Sequence, residues 1–143
     1  MQVKGFGAGY LVDDVAATTR FYADVVGLPV TVELDWFASV NAGAPGYEIS
    51  FVQRGHETVP PAYRAQEAAG LMFGLIVEDA RAEAKRLEEA GVELVTPVVD
   101  EVYGQRHFYV ADPNGVLLDV IELIPVDPDW AAANLPAADV PVS

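Results

Sequence analysis

Apolar residues recur along this chain with two periods, and the periods follow one another in the same order twice. The stretch Tyr10-Leu-Val-Asp-Asp-Val-Ala-Ala-Thr-Thr-Arg-Phe-Tyr-Ala-Asp-Val-Val-Gly27-Leu-Pro runs from an apolar strand end through an acidic pair into a helical pattern, then to glycine and a new strand. Leu75-Ile-Val-Glu-Asp-Ala-Arg-Ala-Glu-Ala-Lys-Arg-Leu-Glu-Glu-Ala-Gly91-Val-Glu repeats that order. Each helix is expected to be about twelve residues long. Asp14 and Asp79 suit N-caps, since a short carboxylate accepts the free amides of a first turn. Gly27 and Gly91 suit left-handed C-caps. Phe21, Tyr22, Val25 and Val26 predict the inner face of the first helix, and Ala80, Ala84 and Leu87 that of the second. An internal duplication is the economical explanation.

Short strand-like runs divided by turn residues follow each helix. In the first half they are Val30–Leu34, Trp36–Asn41 and Tyr47–Gln53, with residues 41–46 as a hairpin loop. In the second half they are Val92–Pro97, Glu101–Ala111 broken near Gly104, and Val116–Ile124. Asp112-Pro-Asn-Gly115 is a turn by composition, because proline presets φ and Asn-Gly tolerates positive φ. The order is β-α-β-β-β, twice. Residues 54–70 join the halves, with Pro60-Pro61 resisting regular structure and His56 reading as solvated. The tail from Pro125, rich in proline, alanine and aspartate, reads as a surface segment anchored by Trp130. The expected organisation is one domain over 1–124, with module one at 1–53, a connecting loop at 54–70, module two at 71–124, and a tail at 125–143.

Composition narrows the function. A chain of 143 residues, 52% of them apolar, can bury a real core, so wholesale disorder is not the expectation. No apolar run approaches the roughly 18–20 residues that span a bilayer. The opening Met-Gln-Val-Lys-Gly-Phe has no apolar signal core, so a cytoplasmic location is the expectation. Lack of cysteine rules out disulfides and thiolate zinc sites. Twenty-two acids against eight Lys and Arg give a net charge of −14, which repels phosphate backbones and favours cationic small molecules. Neither nucleic acid nor membrane is therefore an expected partner. Gly5-Phe-Gly-Ala-Gly9 imitates a nucleotide-binding glycine pattern, yet it falls inside the first strand, before an acidic helix start that would repel phosphate.

Two sets of residues carry a family resemblance. Val12-x-Asp14, Phe21-Tyr22 and Gly27-Leu-Pro resemble the opening module of the vicinal oxygen chelate proteins, the glyoxalase/bleomycin resistance/dioxygenase superfamily. Tyr103-Gly104 through Asp112-Pro-Asn-Gly115, followed by Val-Leu-Leu-Asp-Val-Ile-Glu, resembles the closing module. The likeness covers residues 3–124. It implies an α+β fold of two βαβββ modules forming a cupped, curved mixed sheet with helices on the convex side. It also implies a divalent metal held by four inward His, Glu or Gln side chains. The positions that match those ligands are Gly7, Met72, Ser50 (with Glu48 close by) and Asp119. Glycine donates nothing and a thioether suits such ions poorly. The expectation is a member without metal or other cofactor.

Strand alternation then names the candidate site. Alternation from Asp119 turns Leu117 and Ile121 to the inner face and Leu118 and Val120 to the core. Counting back from Asp112 by the pattern that the family resemblance implies puts Tyr109, His107 and Gln105 on the inner face and Phe108 and Val110 in the core. Arg106 alternates away from the inner face. Glu48, Ser50 and Val52 face inward, with Ile49 and Phe51 in the core. Trp36 shares a face with Ala38 and Val40. The ligand-binding candidates are Trp36, Glu48, Ser50, Met72, Gln105, His107, Tyr109 and Asp119. The catalytic candidates are His107, which titrates near neutrality, with Tyr109 and Asp119.

The resemblance leaves three functions open. The first is a metal-independent protein that sequesters a cationic or aromatic compound, as the bleomycin-type resistance proteins do. The second is a metal-free enzyme in which His107 or Tyr109 with Asp119 moves a proton on a small carbonyl compound. The third is a glyoxalase-type lyase or a dioxygenase-like metal enzyme acting on a carbonyl or aromatic substrate. A homodimer is the expected assembly.

Overall fold

The computed structural model describes residues 1–137; the end of the expected tail, 138–143, lies outside them. The elements run β1 (Phe6–Val12), α1 (Val15–Arg20), a π-helical turn (Phe21–Val26), β2 (Val30–Glu33), β3 (Phe37–Asn41) and β4 (Tyr47–Gln53). They continue as β5 (Met72–Val77), α2 (Ala80–Glu89), β6 (Val99–Glu101), β7 (Gln105–Ala111), β8 (Leu117–Leu123) and α3 (Pro128–Asn134). The α+β class and the two βαβββ modules are as the sequence implies. The strands form two four-stranded sheets, ordered β1-β4-β3-β2 and β5-β8-β7-β6. Among the described residues, compact packing groups 1–72 with 111–117, and 73–110 with 118–137.

In the first unit β1 pairs parallel to β4, so that Gly7 lies beside Glu48 and Gly9 beside Ser50. β3 pairs antiparallel to β4, setting Ser39 opposite Ser50 and Asn41 opposite Glu48. One face of this sheet packs on the helix: Ala38, Val40, Ile49 and Phe51 are buried, and Phe51 stacks on Tyr22 with ring centroids 4.9 Å apart. Each such buried aromatic or aliphatic side chain contributes about 1.5–3 kcal/mol. Asp14 caps α1 by accepting from the Ala17 amide at 2.9 Å.

The helix departs from expectation at its inner face. Val15, Thr18, Thr19 and Tyr22 are the buried positions, whereas Phe21, Val25 and Val26 are half-buried. The two threonines tolerate burial because each hydroxyl donates back to the carbonyl four residues earlier, Thr18 to Asp14 and Thr19 to Val15. After Arg20 the helix widens, and the amides of Gly27 and Leu28 both donate to the Tyr22 carbonyl. Gly27 closes it at φ +92°, a left-handed conformation that glycine adopts without steric cost.

The turn between β7 and β8 completes this unit. Asp112 is buried, and its Oδ2 accepts from the hydroxyls of Tyr10 and Tyr22, the latter at 3.0 Å. Its Oδ1 accepts from the amides of Asn114 and Val116 at 2.8 and 2.9 Å. Burial, together with the Asp112 carboxylate, pushes the Tyr10 hydroxyl well above the usual phenol range. For Tyr22, burial and then the neighbouring Tyr10 do the same. The connecting loop is tied down by Arg54, which donates to Asp13 at 2.8 and 3.2 Å, and by Arg64, which donates to the Val59 carbonyl.

In the second unit Asp79 caps α2, whose buried residues Ala80, Ala84 and Leu87 are those the periodicity predicts. Phe108, Val110, Leu118 and Val120 are buried, as alternation requires. The expected strand Val92–Pro97 is absent. This segment runs beside β7 as irregular chain, held by the Val95 amide on the Tyr109 carbonyl and by the Tyr109 amide on the Thr96 hydroxyl. Pro97 has no amide to extend a ladder. Pairing resumes at β6, where Val99 faces His107 and Glu101 faces Gln105. The tail is also more ordered than its composition suggests: Asp127 caps α3 by accepting from the amides of Asp129 and Trp130, and Pro128 opens the helix.

Candidate functional site

The open face of the first sheet carries a polar cluster centred on Glu48. Its Oε2 accepts from the hydroxyls of Thr31 and Ser39 at 2.9 Å each, and its Oε1 accepts from the Asn41 amide at 3.1 Å. The hydrogen bonds from Asn41, Ser39 and Thr31, in that order, hold the carboxyl below the usual range. Ser50 donates to Ser39 at 3.2 Å, so Glu48 and Ser50 sit in one network as alternation predicts. Gly7 and Gly9 leave the neighbouring strip of β1 bare. A methyl at Gly7 would meet only ordinary contacts, 3.5 Å from the Glu48 carbonyl oxygen.

Trp36 is not brought to this cluster. It sits one residue before β3, and its expected face-mates Ala38 and Val40 lie in the helix-side core. Instead it stacks on His56, centroids 4.0 Å apart and planes 4° from parallel. His56 is therefore half-buried, not solvated as the loop composition implies. An aromatic partner separated by twenty positions leaves no local signal in the sequence (56 − 36 = 20).

The open face of the second sheet carries the more chemically active group. His107, 6% exposed, places Nδ1 2.7 Å from Asp119 Oδ1 and Nε2 3.4 Å from Glu101 Oε1. An imidazole with a carboxylate at each nitrogen satisfies both only as the doubly protonated cation. Burial opposes that charge and is the largest single influence on it. Hydrogen bonds and charge from Asp119 and Glu101 together outweigh burial, and the pKa is raised. Tyr109 edges the His107 ring at 5.4 Å and Tyr103 does so at 6.4 Å. Burial first, then the negative field of Glu101 and Asp119, keeps Tyr103 protonated above the usual phenol range; burial, then Asp119, does this for Tyr109. Gln105 lies on the same face at the strand start, half-buried.

Of the sequence candidates in this unit, Gln105, His107, Tyr109 and Asp119 share this face. Glu101 and Tyr103 join them unforeseen. The signal for both was the glycine break at 104, which folds β6 back along β7 and returns Glu101 to His107. Arg106 is on the helix side, as expected, with Nε 2.6 Å from Asp100 and Nη1 3.3 Å from Glu122.

These residues do not fit the divalent ion that the superfamily resemblance implies. Gly7 has no donor, Met72 offers an exposed thioether, the Glu48 carboxylate is engaged by three side-chain donors, and Asp119 is engaged by His107. Among the described residues no group of three or more His, Asp or Glu is arranged to hold a metal. No described helix is long and apolar enough to cross a membrane.

Solved structures with the same fold include a virulence protein from Salmonella typhimurium, at 20% identity and TM-score 0.71 over 87% of this chain and all of that one. A lactoylglutathione lyase from Agrobacterium tumefaciens matches at 18% identity and TM-score 0.68 over 82% of this chain and 91% of that one. A glyoxalase/bleomycin resistance protein/dioxygenase from Nocardioides matches at 21% identity and TM-score 0.66, covering 87% and 85%. No curated protein matches the sequence. The model of the Glyoxalase/Bleomycin resistance protein/Dioxygenase superfamily matches residues 7–120, and with both βαβββ modules in place the chain belongs to that superfamily.

Proposed function

We propose that this protein is a metal-independent small-molecule binder that sequesters a cationic or aromatic compound. The observation that carries the reading is the engagement of Asp119. The one carboxylate remaining at a family ligand position is hydrogen-bonded to His107 at 2.7 Å, while Gly7 and Met72 stand at two of the others. With His107 protonated, Glu101 and Asp119 leave a net negative site flanked by aromatic rings, suited to a cation with apolar substituents. The test is a thermal-shift screen of purified protein against cationic glycopeptides, aromatics and small carbonyl compounds, with mass analysis of each ligand afterwards. A stabilising ligand recovered unchanged supports sequestration; conversion of the ligand refutes it.

The His107–Asp119 pair favours one alternative, an enzyme acting on a small carbonyl compound. A histidine whose pKa is raised holds its proton to higher pH than an ordinary imidazole, as a general acid toward a carbonyl oxygen must. That reading requires turnover that falls as pH rises through the His107 pKa and is lost in His107→Gln.

A further inference from the structure

The tail helix adds a group that the strands cannot supply. Ile124 and Asp127 donate their amides to the Gly104 and Val102 carbonyls at 2.9 Å each, strapping the tail across the β6–β7 turn. Asp127 and Pro128 then start α3 at once. None of the residues of α3 is buried, so the helix adds little to the core. What it does is set Trp130 against Tyr103, with centroids 6.0 Å apart and planes tilted by 55°. Trp130 is half-buried and Tyr103 remains 41% exposed, so the contact leaves ring surface open to solvent.

Trp130, Tyr103, His107 and Tyr109 thus form a continuous arc of rings, each in edge or tilted contact with the next. Two carboxylates border the arc: the Asp119 side chain is 14% exposed and that of Glu101 36%. Aromatic faces attract cations, most strongly for tryptophan, and adjacent carboxylates supply the net charge. We propose that the arc is a subsite for an aryl-substituted ammonium group, with Trp130 as its ligand-facing wall and the tail helix as a part of the site. This rests on the binding function proposed above and names the chemical class of ligand. A tail anchor would bury its tryptophan; here the tail is already held by backbone bonds at Gly104 and Val102.

The probe is phenyltrimethylammonium, with tert-butylbenzene as its neutral isostere, titrated into the full chain by calorimetry and by the two indole N–H resonances in NMR spectra. The Trp130 resonance is assigned by its loss in Trp130→Phe. The cation is expected to bind, to shift the Trp130 indole and to leave Trp36 in place, and the neutral isostere to bind at least tenfold more weakly. Trp130→Ala is expected to weaken the cation five- to tenfold with an unchanged melting temperature, and Trp130→Phe to keep affinity within twofold. Unchanged affinity in Trp130→Ala with strong loss in Asp119→Asn would overturn the role of Trp130 and leave the binding function standing. Equal affinity for cation and isostere, or no binding of the cation by the native protein, would overturn the ammonium subsite. The broader ligand screen decides the binding function independently of these results.

Discussion

His107 Nδ1 and Asp119 Oδ1 face each other at 2.7 Å across adjacent strands, and Glu101 stands behind the same ring at 3.4 Å from Nε2. The ring is mostly withdrawn from solvent, so the charge on the imidazole depends on these two carboxylates. An NMR titration of native protein should place His107 above the ordinary histidine value near 6.5. Asp119→Asn should bring it down, since burial opposes the charge and Glu101 is then the one carboxylate left beside the ring. The linkage has a definite sign. A raised folded-state pKa stabilises the fold fully below the unfolded value of about 6.5, and the contribution is lost as pH climbs through the folded value. Melting temperature should therefore fall across that interval in native protein and fall less there in Asp119→Asn. A His107 pKa below 6.5 in the native protein would contradict the arrangement.

Asp112 accepts from two tyrosine hydroxyls and two backbone amides at a buried position. Asp112→Ala removes the acceptor of two buried amides and of the Tyr10–Tyr22 hydroxyl pair and should cost about 3 kcal/mol or more, as buried groups deprived of a partner do. Asp112→Asn keeps an acceptor for the amides and should cost about half as much. Urea denaturation of the two variants checks the ranking, and equal effects would show that the hydrogen bonds contribute little.

Gly104 and Gly7 should respond in opposite ways. At Gly104, φ is +95°, and an added Cβ would lie 2.7 Å from Val126 Cγ2 and 3.0 Å from the Ile124 carbonyl oxygen. Gly104→Ala should cost about 2 kcal/mol or more and loosen the tail strap. Gly7→Ala, on open strand with ordinary contacts, should change stability by no more than about 0.5 kcal/mol. Denaturation midpoints separate the two, and comparable losses would contradict the local geometry.

Metal dependence has a direct readout. Elemental analysis of purified protein should find no stoichiometric divalent ion, and a chelator should leave the melting temperature unmoved. Zinc, nickel or iron bound through Glu48 or Asp119 would refute metal independence.

Assembly follows from an edge. β2 ends its sheet and leaves Val30 and Val32 exposed, the kind of apolar border that partner chains cover. Light scattering at micromolar concentration should give twice the mass of one chain; a monomer would count against pairing.

The duplicated frame was legible because period and caps agree locally: Asp14, Asp79, Gly27 and Gly91 each do in the structure what their residue types favour. The faces of β4, β7 and β8 were legible because alternation, anchored by the family resemblance at Asp112 and Asp119, sends Phe51, Phe108 and Leu118 one way and Glu48, His107 and Asp119 the other. What escaped depends on distance along the chain or on weak signals. Nothing near Tyr10 announces a partner 102 positions away. Thr18 and Thr19 look polar until their hydroxyls turn back on the helix. The start of α3 was written in Asp127-Pro128, a cap followed by proline, but alanine and proline around it suggested irregular chain. Trp130 could be named from the sequence, though not the ring it would meet.

The staple between Asp112 and the tyrosines also has a temporal meaning. During synthesis Tyr10 and Tyr22 leave the ribosome long before the carboxylate that receives their hydroxyls. Until then the first unit lacks the Asp112 carboxylate, and closing that link takes a loop of about a hundred residues, an entropically slow event. A nascent chain halted after residue 72 should therefore be protease-sensitive throughout, and protection should arrive in one step once the segment 111–117 has emerged.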